Sequence, residues 1–140
     1  MGGSLAKEPE KVNYLIDTDV LIDLLRGEEK AREFLIRCKA ADITILVSAV
    51  TKAELYSGVR PKEEEALNQL LNSMEEMVVD GQVAYHAGKY RQKYGSSHGV
   101  LLPDALIAGC AKKAGATLVS LNKRHYPMRD IKVLVPYKKY

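Results

Sequence analysis

Three acidic residues stand where an acid is costly. Asp17 follows the apolar run Tyr14-Leu15-Ile16 with no spacer, and a helical pattern starts at once after it. Glu54 lies four residues after Val50 and one after Ala53, on or beside the inward stripe of a helix. Asp104 sits in a first helical turn, and Ile107, Ala108 and Ala111 follow it at spacings of three, four and seven. A carboxylate on an apolar face needs compensation, and a divalent cation shared by all three acids would supply it. The three histidines, His86, His98 and His125, do not make a zinc site of the His/Cys type. An all-oxygen donor set points instead to a hard cation, Mg²⁺, with Mn²⁺ able to substitute.

Each acid also has a plainer reading. Asp17 could cap the following helix, although Thr18 is available for that. Glu54 could be an ordinary exposed helix residue, and Asp104 could serve only the helix dipole. Asp19 is close enough to Asp17 in sequence to reach the same pocket, whereas Asp23, one turn on, reads as a solvated surface charge. Asn122 could hold one edge of a cation or a bound water, or could simply turn the chain after a strand. His125 reads as a surface or capping residue.

The elements that must position these side chains follow from periodicity. Strands are expected at 12–17, 43–47, 77–79, 117–121 and 131–135. Helices are expected at 19–26, 28–40, 49–58, 62–74 and 82–94, the last of these ending at Gly95. A further helix opens at Pro103 and runs to Gly115. Strands alternating with helices imply an α/β fold in three layers, with a central, mostly parallel, five-stranded twisted sheet flanked by helices. Ligands in such folds bind beyond the carboxyl ends of the strands, where Asp17, Ser48 and Asn122 all stand. The 140 residues suit one domain, and the net charge of +3 permits a nucleic-acid partner without arguing for one. Residues 1–11 read as a polar leader, 12–136 as the domain and 137–140 as a basic tail. No stretch approaches the ~18 apolar residues of a membrane span. Cys38 and Cys110 read as buried thiols of a reducing cytoplasm.

Four segments carry a resemblance. They are Leu15-Ile16-Asp17-Thr18-Asp19-Val20-Leu21-Ile22, Val47 to Gly58, Leu102-Pro103-Asp104-Ala105-Leu106-Ile107-Ala108, and Ala116 to Tyr126. Together and in this order they resemble the PIN-domain ribonucleases, specifically the VapC toxins of VapBC toxin–antitoxin modules. The resemblance implies a PIN-like fold and a Mg²⁺-dependent endoribonuclease, the toxin of a type II toxin–antitoxin system. Such an enzyme hydrolyses RNA with metal-activated water and leaves 5′-phosphate and 3′-hydroxyl ends. Asp17, Glu54 and Asp104 become the acidic metal-binding core, with Asp17 and Asp104 holding the principal ion. Thr18, Asn122 and Asp19 become supporting residues, and Lys52, Arg60, Lys123 and Arg124 candidates for RNA phosphates. Asn122 falls where many members carry a fourth Asp. Tyr126 stands where Phe is usual, a change expected to affect packing only. A homodimer and a VapB-like antitoxin are implied partners. Two rival readings are a catalytically degenerate PIN domain serving as a scaffold and a haloacid-dehalogenase-like phosphatase with Asp17 as nucleophile.

Overall fold

The computed structural model describes residues 11–139, so residues 1–10 of the expected leader and Tyr140 of the tail lie outside the described residues. The chain runs β1 (Asn13–Ile16), α1 (Thr18–Leu25), α2 (Glu29–Ala40), β2 (Thr44–Ser48), α3 (Ala49–Gly58), α4 (Glu64–Asn72), β3 (Glu75–Met77), α5 (Gly81–His98), α6 (Leu102–Ala114), β4 (Thr117–Val119) and β5 (Val133–Leu134). Short 3-10 turns cover Pro61–Glu63 and Lys123–His125. The strand order is β3-β2-β1-β4-β5, and every pairing is parallel, so the sheet is more uniform than the mostly parallel one expected.

Alternation along the strands builds the two cores. Leu15, Leu46 and Leu118 point to one face and pack with Val83, Ala87, Ile107 and Ala108 of α5 and α6. Ile16, Val47 and Val119 point to the other and pack with Val20, Leu21, Phe34, Leu55 and Leu67 of α1 to α4. The chain therefore covers one face, then crosses through α5 and α6 to place β4 on the far side of β1. This reversal puts a switch point at the carboxyl ends of β1 and β4, the position where parallel sheets open a crevice. Helix α6 lies close against α5: a Cβ on Gly109 would sit 2.8 Å from the Val83 carbonyl oxygen. Any side chain there would push away the helix that carries Asp104.

Several expected boundaries move for physical reasons. Helix α5 passes through Gly95 because Tyr94 is still core, and it stops at Gly99. Gly99 takes the left-handed conformation (φ 65°) and donates its N–H to Tyr94 O, the usual helix stop. Strand β3 is Glu75–Met77, not the apolar Met77-Val78-Val79, because an edge strand needs a register with β2 more than burial; Val78 and Val79 are exposed beyond it. Asp23 is not a solvated charge. It is only 5% exposed; the Tyr137 hydroxyl donates to its Oδ2 and Lys139 Nζ to its Oδ1, both at 2.8 Å. Residues 137–139 are thus docked on α1, and Lys30 Nζ also donates to the Lys138 carbonyl oxygen at 2.7 Å. No helix of the described residues is long and apolar enough to cross a membrane.

Candidate active site

Asp17 leaves the carboxyl end of β1, the central strand, and its own N–H still continues the ladder by donating to Val119 O at 2.9 Å. Because Ile16 is in register with Val119, the next residues out, Asp17 and Ser120, face each other across the rim. Asp17, not Thr18, is the N-cap of α1: its Oδ1 accepts from Thr18 N at 2.8 Å. Its Oδ2 accepts from Ser120 Oγ and from the Tyr126 hydroxyl, both at 2.8 Å. The capping and functional readings are therefore compatible. A carboxylate 6% exposed has been given three donors and no cationic partner among the described residues.

Asp104 reaches the same place from the first turn of α6. The Tyr126 hydroxyl lies 3.4 Å from its Oδ1, and His125 Nδ1 lies 3.6 Å from its Oδ2. Burial pushes the Asp104 carboxyl above its usual range, and the Asp17 and Glu54 charges push the same way, against His125 and the Tyr126 hydrogen bond. The Tyr126 phenol is likewise driven far above its ordinary value, by burial first and then by the charges of Asp17 and Asp104. Tyr126 is 3% exposed and belongs to the α5–α6 core. Its hydroxyl is therefore part of the acidic pocket, which corrects the expectation of a packing change alone. Ser120 and His125 join the pocket without being marked for it by the sequence pattern. Their signal was position: Ser120 directly follows β4, and His125 lies next to Tyr126 in the turn after it.

Glu54 sits differently from the expectation. Thr51 and Leu55, one helical turn apart, are the buried residues of α3, which turns both Ala53 and Glu54 outward. Glu54 is tied to the pocket by Thr18 Oγ1, which lies 2.7 Å from Glu54 Oε1 and 3.0 Å from Thr51 Oγ1. Its charge still acts on Asp104, but its side chain does not complete a three-acid cluster. Among the described residues no three carboxylate, imidazole or thiol groups converge closely enough to hold an ion by themselves.

Asp19 is braced by a different set. Its Oδ1 accepts from Val20 N at 2.8 Å, and its Oδ2 from Asn122 Nδ2 at 2.8 Å and Leu121 N at 3.1 Å. It fastens the loop after β4 to α1. Burial, with the Asp17 charge second, raises its carboxyl from 3.8 to about 6. Asn122 thus braces Asp19, and its own N–H donates to Ser120 Oγ at 3.0 Å.

The candidate phosphate-binding residues divide in two. Lys52 Nζ pairs with Glu76 at 3.0 Å, and Arg60 Nε lies 3.9 Å from Glu63. Lys123 and Arg124 are exposed on the turn that carries His125, beside the acids, and make no ion pair among the described residues.

The donor chemistry fits a hard divalent cation. The groups around Asp17 are carboxylate and hydroxyl oxygens, with the His125 imidazole at the edge beside Asp104, and the carboxylates disfavour one another's charge, an excess that such an ion would relieve. A closed protein cage is not required. Mg²⁺ commonly takes one or two carboxylates and completes its shell with waters and substrate phosphates.

Comparison with known proteins gives the family. The family model described as PIN domain matches residues 14–131. The chain is 36% identical over 115 residues to Ribonuclease VapC10 of Mycobacterium tuberculosis, covering 81% of this chain and 86% of that protein. It is equally similar to Ribonuclease VapC19 of the same organism, again 36% identical over 115 residues and 81% of this chain, with 92% of that protein covered. Among solved structures, VapBC2 from Rickettsia felis, bound to a DNA fragment from its promoter, superposes with a TM-score of 0.77 at 20% identity. That match covers 88% of this chain and 98% of the other, and it bears on the fold alone. No ground remains for a dehalogenase-like phosphatase, because the chain belongs to the PIN-domain family, among its VapC ribonucleases.

Proposed function

We propose that this chain is a Mg²⁺-dependent endoribonuclease, the toxin of a type II toxin–antitoxin pair, with its catalytic centre at the carboxyl ends of β1 and β4. The observation that carries the reading is the meeting of Asp17 and Asp104 at one buried hydroxyl, in a chain of the VapC family. Asp17 and Asp104 would hold the cation, and Glu54, held by Thr18 outside that pair, would orient the attacking water. A bound divalent ion supplies neutralisation of the phosphoryl charge and a more acidic water.

The remaining residues of the site organise these acids. Thr18 fixes Glu54 through its hydroxyl and Asp17 through its N–H. Asn122 and Asp19 hold the loop after β4 against α1. Lys123 and Arg124 stand free to bind phosphates of the RNA strand, which would leave a salt-dependent affinity. A VapB-like antitoxin is the partner proposed, since the structural relatives are toxin–antitoxin complexes, while a homodimer rests on the family resemblance alone.

The test is cleavage of RNA by the purified chain freed of any partner protein. Cleavage is expected in Mg²⁺, none after chelation, and recovery on adding Mg²⁺ or Mn²⁺. Activity that persists in excess chelator would refute the cation's role. Inertness toward every RNA, with no uptake of Mn²⁺, would favour the scaffold reading.

A further inference from the structure

The geometry points to Tyr126 as a positioning residue for Asp17. Its hydroxyl takes up a lone pair of Asp17 Oδ2 and so leaves Oδ1 as the oxygen offered to a cation. The inference rests on the divalent-cation reading above and specifies how one ligand is presented.

An ionised carboxylate offers about four acceptor sites, two on each oxygen. On Asp17 Oδ2 both are taken, by Ser120 Oγ and by the Tyr126 hydroxyl at 2.8 Å each. Among the described residues Oδ1 accepts only from Thr18 N. One oxygen is therefore saturated and the other retains a free site. The two donors to Oδ2 are themselves fixed: Ser120 is fully buried and Tyr126 is 3% exposed, its ring held among core residues. A phenol has one hydrogen to give. Asp17 Oδ2 at 2.8 Å is the nearer and stronger acceptor for it, Asp104 Oδ1 at 3.4 Å the weaker, and the hydroxyl spans the two acids. The ring thus acts as a rigid spacer rooted in the core, with its polar tip between two charged groups. Partners of this kind behind a metal ligand typically change metal affinity 10–100-fold when removed.

Tyr126→Phe deletes this hydroxyl and keeps the ring. Mn²⁺ binding to the purified chain, followed by loss of the free-ion paramagnetic resonance signal, measures affinity without any substrate. Tyr126→Phe is expected to keep the circular dichroism of the wild type while its Kd for Mn²⁺ rises about tenfold. A purely structural role would lower the melting temperature but leave the Kd of the folded protein unchanged; a Kd within about twofold of wild type overturns the inference. Ser120→Ala removes the other donor to the same oxygen and carries the test if Tyr126→Phe does not fold. It should weaken Mn²⁺ comparably, and an unchanged Kd refutes the claim. Wild-type protein that takes up no Mn²⁺ would instead sink the cation reading itself, together with this refinement of it.

Discussion

Asp17→Asn is expected to give a folded protein that cleaves RNA about a thousandfold more slowly than wild type, or less. Losing the charge at the centre of the pocket removes several kcal/mol of cation-borne stabilisation, at about 1.4 kcal/mol per factor of ten. Asparagine keeps the shape and a capping oxygen, and the Ser120 and Tyr126 hydroxyls can turn to meet its amide. Asp17→Ala behaves differently. From sequence, that change should relieve acidic crowding and leave the fold intact or more stable. The structure reverses the expectation, because Asp17 caps α1 and is the acceptor for Ser120 and Tyr126 inside the protein. Removing it forfeits a cap and leaves buried donors unsatisfied, for a combined loss of about 2–4 kcal/mol. Paired melting curves and cleavage rates on both variants check this. An active Asp17→Asn enzyme, or an Asp17→Ala protein as stable as wild type, would contradict it.

The second large effect is at Asp104, where activity and stability should move in opposite directions. Asp104→Asn is expected to cut cleavage at least about a hundredfold, through the same loss of charge. It should also make the metal-free protein more stable at pH 7. Burial and the Asp17 and Glu54 charges raise the Asp104 carboxyl in the folded state above its unfolded value. A group of this kind binds protons more readily when folded. Stability then falls as pH rises from about 4 through the folded value, and the cost is fully present above it. Asp19 adds to the same slope, since its carboxyl rises from 3.8 to about 6. That shift corresponds to a cost on the order of 3 kcal/mol at neutral pH. In chelator, these two groups make wild type lose stability between pH 4 and pH 7, and Asp104→Asn should flatten part of that loss. Denaturation midpoints at pH 5 and pH 7 measure it. A variant less stable than wild type at pH 7 would mean that burial and the neighbouring acids do not disfavour the Asp104 charge.

Much of this was readable from residue order because the fold's signals are local. A run of apolar residues ending in an acid marks a parallel strand delivering that acid to the rim, and Asp17 is found there. Ser48 caps α3 as its position suggests, accepting from Val50 N at 3.1 Å. Pro103 opens α6 in its first turn. What sequence could not give depends on tertiary contacts. Gly95 and Gly99 are equivalent as helix stops until burial of Tyr94 decides between them. Glu54 looks inward by spacing from Val50, yet the phase of α3 is set by Thr51 and Leu55. Asp23 looks solvated because its partners, Tyr137 and Lys139, lie at the other end of the chain. The hydroxyl of Tyr126 was legible as a residue but not as a contact, since only folding brings it between Asp17 and Asp104.

A cation-dependent site of this kind requires Asp17 and Asp104 together to hold a divalent ion at the carboxyl rim of the sheet. Crystals of the protein soaked in Mn²⁺ and measured at the manganese absorption edge would locate that ion directly. One anomalous peak is expected, bonded to both carboxylates at roughly 2.1 Å, with no peak there in Asp17→Asn crystals. A peak elsewhere, or none at saturating Mn²⁺, would contradict it.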